Sequence, residues 1–155
     1  MRPDVFVDSG PIIAQFHPQD SRHADSLRVM NELRQGSRSF VTSTDVMGET
    51  LSLLRRWAGY AVARVAGEEL WRSFEVDVVT VDDGDRRKAW ELFLLYRIPK
   101  LSFVDCTSAA LMRRLGLREI FTFDEDFRSL GFDVHPAPRP LLKPNRAAKP
   151  RARRR

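Results

Sequence analysis

Sulfur and imidazole are scarce in this 155-residue chain, which has one cysteine, Cys106, and three scattered histidines, His17, His23 and His135. A lone cysteine excludes an internal disulfide and a cysteine-based metal knuckle. Its setting among Val104, Ala109 and Ala110 predicts a small buried apolar side chain. Long apolar runs are missing too. The richest stretch, around Trp90 to Ile98, falls far short of the roughly 20 residues that cross a bilayer. Met1-Arg2-Pro3 leads straight into a strand pattern, without the apolar region and small-residue cleavage site of a secretory signal. The expectation is a soluble cytoplasmic protein with no membrane partner.

Acids are absent from His135 onward, where eight Lys and Arg fall. The formal net charge of +5 is therefore uneven, with 18 basic against 21 acidic residues in positions 1–134, a net of −3. Five of the nine prolines also lie in that last stretch. Expected, then, are one domain over 1–134, with 43% hydrophobic residues overall to build its core, and a basic tail over 135–155 that is disordered or extended.

Within the body, short β-rich runs alternate with helical patterns, the mark of β/α units and a mostly parallel sheet. Strands are predicted near 4–7, 39–43, 76–81, 119–123 and 132–135. A short helix follows Asp8 and Ser9, with Pro11 in its first turn. Five more span about 23–34, 45–57, 60–74, 86–96 and 103–115. Gly36 and Gly116 act as stops, Gly59 joins a hairpin, and Asp82-Asp83-Gly84-Asp85 forms a turn before the fifth.

Four acids stand out in this frame. Asp8 closes Val5-Phe6-Val7 and Asp124 closes Ile120 to Phe123, 116 positions later. If the two runs are parallel strands of one sheet, both acids reach the edge where open α/β sheets bind ligands. Asp105 falls inside the apolar flank of its helix, between Met112 and Ala109 in helical phase, so a solvated surface acid is a poor explanation. Ser102-Phe103-Val104-Asp105 also has the S-x-x-D pattern of a capping box. Glu49 lies at the margin of the arc formed by Val46, Thr50, Leu53, Leu54 and Trp57. Gly48 beside it is odd in mid-helix, where glycine costs about 0.8–1.0 kcal/mol relative to Ala. Close approach by another backbone or by a ligand, or a later helix start, would account for it. Taken singly, Asp8 and Asp124 are also ordinary turn and cap residues.

Convergence of four carboxylates requires protons or a cation, because two of them about 4 Å apart repel by roughly 4 kcal/mol at an effective dielectric near 20. With nitrogen and sulfur ligands lacking, the donor set disfavours zinc and suits Mg²⁺ or Mn²⁺. Such ions activate the nucleophile and stabilise the leaving oxygen of a phosphodiester displacement.

On Val5-Phe6-Val7-Asp8-Ser9, Gly48-Glu49, Asp105 with Ala109-Ala110, and Thr122-Phe123-Asp124-Glu125-Asp126-Phe127, the chain resembles the PIN-domain nucleases over about residues 4–134. Within them it resembles the VapC-type toxins of toxin–antitoxin pairs. The resemblance implies a three-layer α/β/α fold with a five-stranded, mostly parallel sheet, and metal-dependent cleavage of RNA. It assigns the catalytic metal site to Asp8, Glu49, Asp105 and Asp124, with Asp8 and Asp105 as direct ligands and the other two bound directly or through water. Ser9 and Thr122 become supporting polar groups, and Asp126 an outer member. It further implies a small antitoxin partner and a homodimer. Gly48 and the basic tail depart from the family pattern.

The tail residues Lys149, Arg151, Arg153, Arg154 and Arg155 can neutralise RNA phosphates, or simply solubilise the chain. Alternatives to the toxin reading are a housekeeping RNA-processing nuclease and a PIN-like RNA-binding module without turnover. A phosphotransfer domain of the haloacid-dehalogenase type needs D-x-D, where this chain has Asp8-Ser9-Gly10.

Overall fold

The computed structural model describes residues 5–137; the tail residues Lys149 to Arg155 lie outside them. Five strands form one parallel sheet: β1 (Val5–Val7), β2 (Phe40–Ser43), β3 (Val76–Val79), β4 (Glu119–Phe121) and β5 (Asp133–His135). Their spatial order is β3-β2-β1-β4-β5. The central strand β1 is wholly buried, and its Val5, Phe6 and Val7 pair with Glu119, Ile120 and Phe121 of β4. A parallel strand covered on both faces has no exposed side to make polar, which is why β1 is a run of three apolar residues.

Helices α1 (Ser9–Phe16) and α2 (His23–Gln35) connect β1 to β2, and α3 (Thr44–Trp57) and α4 (Tyr60–Arg72) connect β2 to β3. The chain then doubles back through α5 (Asp83–Leu95) and α6 (Phe103–Leu115) to β4, and through the short α7 (Asp126–Ser129) to β5. Parallel crossovers are right-handed, so connections running in opposite directions along the sheet cover opposite faces. The result is the three-layer α/β/α fold expected from the sequence. Val7, Val41, Ile120, Phe121, Leu111 and Met112 are among the most deeply buried residues of its core. Cys106 is fully buried, as expected. Among the described residues, no helix is long and apolar enough to cross a membrane.

The order in which strands are added reverses between β1 and β4, while all strands stay parallel. This is the topological switch point, where the loops leaving two adjacent strand ends diverge and open a crevice.

Local starts and stops have identifiable causes. Gly116 ends α6 in the left-handed conformation at φ 71°, which glycine adopts without a Cβ penalty. Gly59 precedes α4 at φ 92° and makes the α3–α4 hairpin. After α2, by contrast, Gly36 keeps φ −76° and Ser37 takes the positive angle, φ 56°.

Two expectations change. The acidic run before α5 is no separate turn. Asp82 caps the helix and Asp85 occupies its first turn, each side chain accepting from the other's backbone N–H at 2.8 and 3.1 Å. Nor does Gly48 mark close approach by another part of the backbone, or a late start. Helix α3 begins at Thr44, and a Cβ added at Gly48 would meet nothing within 4 Å.

Candidate active site

Asp8 leaves β1 and caps α1. Its backbone N–H donates to Phe121 O at 3.0 Å, carrying the β1–β4 ladder one step past the strand. The carboxylate is held at both oxygens: Oδ1 accepts from Ser9 N–H at 2.8 Å, and Oδ2 from the Thr122 hydroxyl at 2.7 Å. The Thr122 oxygen in turn accepts from Asp124 N–H at 3.0 Å. One buried threonine thus ties the ends of β1 and β4 together. Asp124 Oδ1 accepts from Asp126 N–H at 2.9 Å, which fixes the turn into α7.

Asp105 enters from the first turn of α6. Ser102 and Asp105 form a reciprocal capping box, with Asp105 Oδ2 accepting from Ser102 N–H at 2.7 Å and Ser102 Oγ from Asp105 N–H at 3.1 Å. Capping and a place in the site are therefore compatible, since the cap uses one carboxylate oxygen. Glu49 projects from α3, half-buried.

Together these residues line an open cleft of about 440 Å³: Asp8, Ser9, Glu49, Asp105, Thr122 and Asp124, with Gly10, Leu53, Lys100, Ser102 and Phe123. All four singled-out acids and both supporting hydroxyls are brought to this cleft. Asp126 is not among its lining residues, and its backbone, through Asp124, is its link to the site. Lys100 carried no sequence signal, being one exposed lysine in a loop.

Burial governs the electrostatics. Asp8 is 6% exposed, and loss of solvent pushes its carboxyl up to about 7. The Thr122 and Ser9 hydrogen bonds oppose that rise, while the charges of Asp105 and Glu49 add to it. Asp105 is raised to about 6, again mainly by burial, with Asp124 and Glu49 contributing repulsion against the Ser102 bonds. Each of the four acids is thus close enough to influence another.

They do not close into a cage. Among the described residues, no group of three or more His, Cys, Asp or Glu stands in ligating array. The donor chemistry still fits a hard divalent cation: the lining acids offer only oxygen, and two buried carboxylates that resist ionisation are stabilised by positive charge.

A parallel sheet with acids at its switch point defines the class, and the family model for the PIN domain matches residues 5–133. The chain belongs to the PIN-domain family, among its VapC-type members. It is 35% identical over 133 residues to the 23S rRNA-specific endonuclease VapC20 of Mycobacterium tuberculosis, covering 85% of this chain and 98% of that protein. The crystal structure of M. tuberculosis VapC20, described as a sarcin–ricin loop cleaving toxin, superposes with a TM-score of 0.75 at 32% identity, over 84% of this chain and 97% of that one. FitAcB from Neisseria gonorrhoeae shares the fold at 15% identity, with a TM-score of 0.61 over 84% and 95% of the two chains.

Proposed function

We propose that this protein is a divalent-metal-dependent endoribonuclease, the toxin of a toxin–antitoxin pair, and that it cuts a structured RNA of the sarcin–ricin loop kind. The observation that carries the reading is the meeting of Asp8, Glu49, Asp105 and Asp124 at the switch point, with Asp8 and Asp105 buried and their carboxyls pushed up to about 7 and about 6. Family membership and the RNA named for the VapC20 relative support the substrate class.

Asp8 and Asp105 would hold Mg²⁺ or Mn²⁺, with Glu49 and Asp124 completing the set. When bound, the ion supplies positive charge for the attacking water and the leaving oxygen of an in-line displacement. The chain's own contribution is orientation. Thr122 and Ser9 lock both oxygens of Asp8, and Ser102 locks one oxygen of Asp105 and leaves the other for the cleft. Such fixed geometry saves reorganisation as charge develops.

The partners follow the same reading. A small antitoxin would block the cleft, and two copies would associate through an apolar face. Trp90, Phe93, Leu94 and Leu95 of α5 and Phe103 of α6 are all exposed, and Phe93 lies 5.8 Å from Trp90 and 6.1 Å from Phe103 between ring centroids. An exposed cluster of this kind marks an interaction surface.

The deciding experiment is cleavage of a sarcin–ricin-loop RNA hairpin by wild type and Asp8→Asn, with Mg²⁺ or Mn²⁺ and with chelator. Cleavage by wild type that chelator and Asp8→Asn both abolish is the expected result. Equal cleavage by the two proteins would remove Asp8 from the mechanism, and binding without any cleavage would favour the non-catalytic module.

A further inference from the structure

An acid-lined cleft repels the polyanion it is proposed to cut, so some positive charge must meet the RNA there. Lys100 is the one basic residue among those lining the cleft. It is exposed, and among the described residues it makes no hydrogen bond or ion pair, even with the acids that share its cleft. Three cations on the flanking helices α5 and α6 are committed to acids instead: Arg114 to Asp85 at 2.8 Å, Lys88 to Glu91 at 2.9 Å and Arg86 to Asp45 at 3.5 Å.

The backbone around Lys100 is anchored on both sides. Leu101 is buried, and its N–H closes a turn onto Ile98 O at 3.1 Å. Ser102 follows, tied to Asp105 through the capping box. The segment that sets Asp105 in place therefore also sets the base of the Lys100 side chain at the cleft mouth. An ammonium offers three donors on a flexible stem, suited to a phosphate as a point charge.

We infer that Lys100 is a substrate-binding residue, its Nζ taking an RNA phosphate that flanks the scissile bond. This rests on the endoribonuclease reading above. A phosphate contact of this kind positions the strand without reading its sequence.

The test uses the full chain and a fluorescently labelled sarcin–ricin-loop hairpin. Binding is measured in chelator across a series of salt concentrations for wild type, Lys100→Ala and Lys100→Arg, and cleavage kinetics with Mg²⁺ or Mn²⁺ are measured alongside. Lys100→Ala is expected to weaken binding about five-fold at low salt and to flatten the slope of log K against log salt by about 0.7–0.9, the share of one phosphate. Lys100→Arg keeps the slope. In cleavage, KM rises with kcat nearly unchanged, the pattern of a contact made equally in ground and transition states. Equal affinity and slope for wild type and Lys100→Ala would overturn the assignment, as would failure of Lys100→Arg to restore them. If wild type neither binds nor cuts the hairpin, the endoribonuclease reading falls and this one with it. If it binds and cuts while Lys100→Ala is unchanged, only Lys100 loses its role.

Discussion

Helices α5 and α6 begin in the same way and end up with opposite electrostatics. Each opens on a capping box whose aspartate, Asp85 or Asp105, is buried in the first helical turn and bonded to the cap's backbone N–H. Asp85 then meets Arg114, which reaches both its oxygens at 2.8 Å. Those hydrogen bonds hold its carboxyl below the usual range against the effect of burial. Among the described residues, Asp105 has no such cation bonded to it. Its neighbours are acids, and its carboxyl rises to about 6. A cap motif thus specifies a helix start and nothing more, and the charges around it decide whether the carboxyl is lowered, as at Asp85, or raised, as at Asp105.

The sharpest way to break this comparison is to neutralise each acid. Asp105→Asn should reduce cleavage by about 10³-fold, the equivalent of roughly 4 kcal/mol of transition-state stabilisation, when the same RNA assay is run. Its metal-free thermal stability should hold or rise, because the amide oxygen can still accept from Ser102 and a repelled charge has gone. Asp85→Asn should do the reverse. Loss of the charged bonds to Arg114 should cost about 1–2 kcal/mol by denaturant unfolding, tempered by the 41% exposure of that arginine, with cleavage per folded molecule unchanged.

A pH series sharpens the contrast. Asp8 and Asp105 have folded values raised to about 7 and about 6 from 3.8. Their contribution to stability is full below the unfolded value and lost as pH rises through the folded ones. Metal-free protein should therefore lose stability between about pH 4 and 7, by up to about 1.4 kcal/mol per pH unit for each proton released. Asp85, whose value is lowered, contributes above its unfolded value and loses that contribution as pH falls below it. Melting curves with Asp8→Asn should flatten the first limb and leave the second. Added Mg²⁺ should flatten the first limb as well. A profile that Asp8→Asn leaves unaltered would contradict the electrostatic account.

The smallest effect concerns the third helix at the cleft. Gly48→Ala has open space for its Cβ and should stabilise α3 by about 0.5–1 kcal/mol, read as a rise in Tm. If cleavage falls while Tm rises, the glycine serves substrate access beside Glu49.

Much of this was legible beforehand, for physical reasons. Strand positions came through to within a few residues because buried parallel strands are continuous apolar runs bounded by polar and turn residues, as at Val5–Val7 and Glu119–Phe121. Asp105 was visible because an acid inside an apolar arc breaks the helical pattern. The Asp82–Asp85 run misled, since four adjacent polar or small residues look like a turn although Asp82 and Asp85 cap each other's backbone N–H groups and start α5. Lys100 left no trace, because an exposed lysine in a loop breaks no rule. The Thr122 bridge was visible only as a family motif, since its meaning depends on β1 lying beside β4.

That adjacency governs when the protein can act as well as where. Asp8 is made before Asp124, which comes 116 positions later, with Thr122, the residue that bonds to both, just ahead of it. A chain still on the ribosome and shorter than this has β1 without its β4 neighbour and holds an incomplete set of acids. N-terminal segments emerge first during synthesis, so a nascent copy that ends before Asp124 lacks the full set of acids.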